Sequence, residues 1–224
     1  MGSRMKWYKL ITLITICGII NGCAARKSGG AGTISQMQEL QHKLNITALF
    51  SQDKLLYQGI PVYKKIRKDP KGQSVAFYTE NGLNHGPARI MDSNGIPVVD
   101  TVYSKGRMTE YYYAKIKNRT YCLIFKDGKP WEGNLFLPGH SNTGEMEFKN
   151  GILSGVYEYE NGHNRKPLID FSKNEFRDKR PWNGFFMTEG QNKISFYRNG
   201  KIIVDQKNME LLTYINELLG QLGL

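Results

Sequence analysis

The sequence predicts a mainly β protein: an elongated antiparallel meander of hairpin repeats, with an N-terminal helix and a C-terminal amphipathic capping helix. Three observations carry this reading. Asn-Gly or Asp-Gly reads as a turn at six places, 81–82, 94–95, 127–128, 150–151, 161–162 and 199–200. These dipeptides supply the adjacent positive-φ residues that tight hairpins require. Aromatic and β-branched runs precede most of them, as in Phe77-Tyr78-Thr79-Glu80-Asn81-Gly82 and Phe196-Tyr197-Arg198-Asn199-Gly200. Thirteen Tyr and ten Phe, spread among many glycines, suit the packing of large side chains across pleated faces. Outside this region the spacing of apolar residues becomes helical.

Residues 1–22 read as an export signal, with Met1–Arg4 an added leader or an upstream start. Lys6 and Lys9 precede the apolar run Leu10–Ile20, which ends in small residues. That order is the pattern of a cleaved signal, and the run is shorter than the roughly 20 residues a membrane span needs. Ile20-Asn21-Gly22-Cys23 resembles the bacterial lipobox, with Asn21 departing from the usual small residue. The resemblance implies that Cys23 is acylated and becomes the new N-terminus. Residues 23–34, rich in Gly, Ala and Ser, then form a flexible tether whose reach is about 5–6 Å times the square root of its length. Residues 35–56 hold the N-terminal helix. Ser35 and Gln38 fit a capping box, and Met37, Leu40, Leu44 and Ala48 make its apolar stripe. Residues 57–205 are the β region. Residues 206–224 hold the C-terminal helix, where Leu211, Leu212, Ile215, Leu218, Leu219 and Leu222 recur at helical spacing opposite Glu210, Asn216, Glu217 and Gln221, so it caps the sheet.

A longer repeat overlies the turns. Lys129-Pro130-Trp131-Glu132-Gly133 matches Arg180-Pro181-Trp182-Asn183-Gly184, and each is followed by a strand and an aromatic Asn-Gly turn. Gln58-Gly59-Ile60-Pro61-Val62-Tyr63 reads as a degenerate first copy. The two tryptophans are equivalent positions of the repeat and are expected in the core. Phe-Tyr-x-x-Asn-Gly together with Asp127-Gly128-Lys129-Pro130-Trp131-Glu132-Gly133 resembles the bacterial MORN-type repeat, in particular the YwqK-family antitoxin and immunity proteins. The likeness spans roughly residues 57–205 and is strongest over 124–162 and 180–200. It implies a twisted antiparallel sheet with a binding role, and it supplies no catalytic residues.

Loss of residues 1–22 leaves 202 residues and lowers the net charge from +11 to +8, since Arg4, Lys6 and Lys9 leave with no acid. A basic surface outside the cytoplasm serves an anionic bilayer or an acidic protein partner, with nucleic acid the least fitting. Cys122 lies in Tyr121-Cys122-Leu123-Ile124-Phe125 and packs as a small buried hydrophobe. His42, His85, His140 and His163 stand singly, without metal spacing. Gly139-His140-Ser141-Asn142-Thr143 begins like a nucleophile elbow but lacks its final Gly and its strand-to-helix context. Glu145 and Glu147 share one strand face, read as solvated, with cation binding as the alternative. No catalytic residue, metal or cofactor is expected.

The expected partner contacts are the basic stretch, with Lys64, Lys65, Arg67 and Lys68, and the run Tyr111-Tyr112-Tyr113, of which at least one should face outward. Lys on an edge strand also guards against aggregation. Ala24, directly after Cys23, points by the lipoprotein sorting rule to the outer membrane facing the periplasm. The expected function is that of a lipid-anchored, protein-binding immunity protein that occludes a toxin or secreted effector. The alternative is a structural or accessory lipoprotein of an envelope or secretion assembly.

Overall fold

The computed structural model describes residues 26–27, 31–117, 119–137, 144–160, 164–188, 193–204 and 206–222. The signal segment, Cys23, the Gly139–Thr143 motif, His163 and the Asn161-Gly162 turn lie outside them.

A two-residue strand, β1 (Arg26–Lys27), precedes two helices, α1 (Ala31–Lys43) and α2 (Ile46–Phe50). Eleven strands follow: β2 (Lys54–Tyr57), β3 (Ile60–Asp69), β4 (Gly72–Tyr78), β5 (Asn84–Asp92), β6 (Pro97–Ser104), β7 (Arg107–Ile116), β8 (Arg119–Lys126), β9 (Lys129–Leu137), β10 (Gly144–Lys149), β11 (Ile152–Glu160) and β12 (Asn164–Asp170). Each pairs antiparallel with its sequence neighbours in one uninterrupted meander, and β1 adds in parallel to β8. A smaller sheet holds β13 (Glu175–Arg177), β14 (Arg180–Thr188), β15 (Lys193–Arg198) and β16 (Lys201–Ile202), before helix α3 (Gln206–Gln221). No described helix is long and apolar enough to cross a membrane.

The turn chemistry explains the meander. Asp127 and Gly128, Asn150 and Gly151, and Asn199 and Gly200 all carry positive φ in pairs, as a two-residue hairpin demands. Gln58-Gly59, Lys105-Gly106 and Asp178-Lys179 do the same without an Asn-Gly or Asp-Gly signature. At 81–82 and 94–95 only the glycine is left-handed. There a three-residue loop closes instead, inside the backbone bonds from Thr79 N to Leu83 O and from Asp92 N to Ile96 O: Leu83 N donates to Thr79 Oγ1, and Asn94 N and Ile96 N donate to Asp92 Oδ1.

The repeat is visible atom by atom. Gly151 N donates to Trp131 O at 2.8 Å, and Gly200 N donates to Trp182 O at 2.9 Å. Lys126 lies over Trp131 at 4.5 Å, and Arg177 over Trp182 at 4.4 Å. Gly133 and Gly184 share a φ of 116°. The tryptophans are not core residues, contrary to expectation. Trp131 is exposed and Trp182 half-buried, each stacked beneath a cation and against the glycine of the next turn.

The N-terminal segment differs from its reading. Part of the expected tether is engaged, since Arg26–Lys27 pair with Arg119–Thr120. The helix starts at Ala31, so Ser35 lies inside it rather than capping it. Thr33 is buried and packs where Gly133 has no side chain; a Cβ there would lie 3.0 Å from Thr33 Cγ2. The helix also breaks at Asn45, whose φ of 49° is left-handed, and β2 begins at Lys54, inside the segment expected to be helical.

Two cores result. On one face, α1 and α2 bury Met37 and Ile46 against Tyr57, Val62, Phe77, Val102, Tyr111, Cys122 and Ile124. On the other, α3 buries Ile215 and Leu219 against Tyr112, Leu123, Phe125 and Ile194. Each fully buried Leu or Ile contributes about 1.5–3 kcal/mol. The central strands β7 and β8 are therefore covered on both sides. Asn216 ties α3 to the smaller sheet: its Oδ1 accepts from Ile194 N and its Nδ2 donates to Ile194 O. An amide side chain thus stands in for a pairing strand at that edge. Asn174 does the same for the backbone of Phe185.

Candidate binding surface

The basic stretch lies on β3, where the pleat divides it. Lys65 and Arg67 pair with Ala76 and Ser74 of β4 and share the face on which α3 lies. Lys64, Ile66 and Lys68 take the opposite face. Lys64 is half-buried, its Nζ 2.7 Å from Asp53 and donating to Phe50 O at 3.2 Å. It fastens α2 to the sheet and is removed from the expected partner contacts. Lys65, Arg67 and Lys68 are exposed. Lys65 sits over the Tyr78 ring at 5.0 Å, and Lys54 over Tyr63 at 5.1 Å, so aromatic faces hold two of the cations in place. β2 pairs only with Ile60–Tyr63. Among the described residues, no strand flanks 65–69 on the outer side. The surface is a cationic sheet edge with Tyr63 and Ile66 exposed between the charges.

The tyrosine run is not part of it. Tyr111 is 0% exposed, Tyr112 5%, and Tyr113 half-buried. Alternate tyrosines do point to opposite faces, as expected, but a helix covers each face. Tyr111 packs under α1, with its hydroxyl donating to Asp100 Oδ1 at 3.0 Å. Asp100 also receives Arg89 and Gln41 on Oδ2. Burial lifts its carboxyl above the ordinary value, although Arg89 acts to lower it.

The other chemistry-bearing groups have structural partners. Glu145 is fully buried, not solvated: Asn134 Nδ2, Tyr159 Oη and Arg165 Nε all donate to it at 2.9–3.0 Å. Arg165 also reaches Glu147 at 3.2 Å, so the guanidinium stands beside both carboxylates. Burial opposes ionisation of Glu147, but Arg165, Ser154 and Lys149 prevail and hold it below its ordinary value. His85 is fully buried. Its Nδ1 accepts from Lys105 N, which leaves Nε2 to donate to Tyr57 O; it is a structural histidine. Cys122 Sγ lies 3.6 Å from Thr33 O, and burial pushes its thiol up to about 12, the environment of an inert thiol. Among the described residues, no group of three His, Cys, Asp or Glu side chains gathers to hold a metal.

No family model, curated protein or solved structure matches this chain.

Proposed function

We propose that the chain is a protein-binding module of the bacterial envelope, anchored through Cys23, that neutralises a toxin or secreted effector by covering its active surface. The observation that supports this reading is the cationic outer edge of β3, with Lys65, Arg67 and Lys68 exposed beside Tyr63 and Ile66. Charge on an exposed edge steers an acidic partner and speeds encounter, and the neighbouring apolar side chains supply contact area. An extended acidic segment of the partner can add as a strand along 65–69. The step from binding to neutralisation rests on the resemblance of residues 57–205 to MORN-type repeats, and the step to the outer membrane on the signal segment and Ala24.

The test is capture from native envelope with a tagged chain carrying Cys23→Ser. The partner, identified by mass spectrometry, is then assayed for activity with and without the chain. Stoichiometric capture of one effector whose activity is lost on binding is the expected result. Capture of envelope-assembly subunits alone contradicts neutralisation.

A further inference from the structure

The internal repeat sets two phenylalanines in equivalent places, and only one of them is covered. Phe125 pairs with Pro130, and its counterpart Phe176 pairs with Pro181. Phe125 is 6% exposed, because β7 lies outside β8 and the core beneath α3 takes its ring. Phe176 is 66% exposed. A 3-10 turn at Phe171–Lys173 separates β12 from β13, and among the described residues no strand pairs with β13 on its outer side. The main chain is open there. Asp178-Lys179 is a two-residue turn, so Arg177 and Arg180 form its bonded pair, and the next pair along an antiparallel ladder is non-bonded. Pro181 has no N–H to give, in keeping with that alternation. The N–H and C=O of Phe176 therefore point out of the sheet. Glu175 and Arg177 are exposed on either side of it. Glu175 accepts from Asn183 Nδ2 at 2.6 Å, and Arg177 lies 4.4 Å over Trp182, so both charges are held in place. Phe176 meets Phe186 edge-on at 5.0 Å, away from the α3 core that takes Phe185 and Phe196.

We infer that β13 pairs with β13 of a second copy of this chain, about a two-fold axis through Phe176. The operation is antiparallel and uses the same patch on both copies. Each Phe176 N–H donates to the Phe176 C=O of the other copy, and the two rings lie side by side. Glu175 of each copy stands opposite Arg177 of the other, in the non-bonded positions where side chains approach most closely. The same operation on the basic edge of β3, centred on Ile66, sets Lys65 against Arg67 and is repulsive. Two main-chain bonds and three side-chain pairs make a small interface, so the dimer is weak and reversible. The inference needs no effector and stands apart from the neutralisation reading.

The experiment is sedimentation velocity of the chain carrying Cys23→Ser over a concentration series. A concentration-dependent equilibrium between monomer and dimer is expected. Glu175→Arg and Arg177→Glu each set like charges against each other in both pairs, and each should raise the dissociation constant about tenfold or more. Both change exposed side chains, so the circular dichroism spectrum should be kept. Mixed in equal amounts, the two variants should dimerise with each other as the parent chain does, because every pair is again opposite in charge. Association through the apolar segment Leu10–Ile20 is indifferent to these reversals. Lys65→Glu, Arg67→Glu and Lys68→Glu together should leave the dimer intact, which separates this edge from the one that meets the effector. A monomer at every concentration up to about 1 mM, a dimer indifferent to the single reversals, or reversed chains that fail to pair when mixed would overturn the inference. A monomer whose capture of an effector is lost on Arg177→Glu would overturn it as well and give the edge to that partner.

Discussion

Tyr111→Phe removes one oxygen atom and nothing else from the core, so it tests the hydrogen bonds of one hydroxyl, which donates to Asp100 and also bonds Gln41. The ring of Tyr111 is 0% exposed and keeps its packing under α1 as Phe. The lost hydroxyl bonds Oδ1 of Asp100 at 3.0 Å, and Asp100 is 2% exposed. Arg89 and Gln41 both bond Oδ2, so neither substitutes for Tyr111 at Oδ1. A hydrogen bond to a charged group contributes about 1.5–3 kcal/mol, and the carboxylate left behind is too deeply buried for water to repair the loss. Urea denaturation should show a loss of that size with an unchanged m-value. The melting temperature should fall by roughly 3–12 °C, at about 2–4 °C per kcal/mol for a chain of this size. Gln41→Ala is the comparison. It leaves Arg89 on the same oxygen and the Tyr111 hydroxyl on Oδ1, loses only the contacts of the Gln41 amide with Asp100 and Tyr111, and should cost about 0.5–1.5 kcal/mol. Partner binding should survive in both variants. A stability change below about 0.5 kcal/mol for Tyr111→Phe, or a loss of partner binding at unchanged stability, would refute the placement of Tyr111 in the core.

Three further predictions rest on separate parts of the molecule. Gly133→Ala should leave the chain largely unfolded by circular dichroism, because a Cβ there would lie 2.0 Å from Cys122 O in a backbone with φ of 116°; a native spectrum would contradict the close approach of Gly133 to Cys122. Cys122, with its thiol pushed up to about 12 by burial, should resist a thiol reagent at pH 8 in the folded chain and react on addition of guanidinium; rapid labelling of the native protein would contradict its burial. Glu147 is held below its ordinary value by Arg165, Ser154 and Lys149 against the effect of burial. Its contribution to stability is therefore present above the ordinary carboxylate value and is lost as pH falls through the lowered one. The stability difference between the parent chain and Glu147→Gln should shrink on acidification below about pH 4.5, and a difference independent of pH would contradict the pairing.

The parts of the fold that were legible in the sequence are those fixed by local chemistry. Paired positive-φ positions favour Asn, Asp and Gly, so the hairpins at 127–128, 150–151 and 199–200 announced themselves, while those at 58–59, 105–106 and 178–179 did not. The Pro-Trp repeat was visible because the same glycine has to pack against the same ring in both copies. Non-local consequences were hidden. Nothing in Tyr111-Tyr112-Tyr113 shows that helices cover both faces of β7, because one of those helices lies some 100 residues further along the chain. Glu145 and Arg165 meet only after β10, β11 and β12 are laid side by side, so a buried ion pair looked like a solvated strand face. The basic stretch was read as one unit. Pleating sends Lys64 to a structural role and Lys65 with Arg67 to the opposite face, and the alternation alone could not say which face stays open. Asn216 and Asn174 were silent for the same reason, since a side chain that imitates a strand is recognisable only once the edge it covers is known.

The central claim is that the exposed edge of β3 neutralises an effector, and a titration of the captured effector's activity tests it most directly. The chain should abolish that activity at one equivalent, and a chain carrying Lys65→Glu, Arg67→Glu and Lys68→Glu should leave it intact. Full effector activity in excess parent chain, or equal inhibition by both chains, would contradict the account.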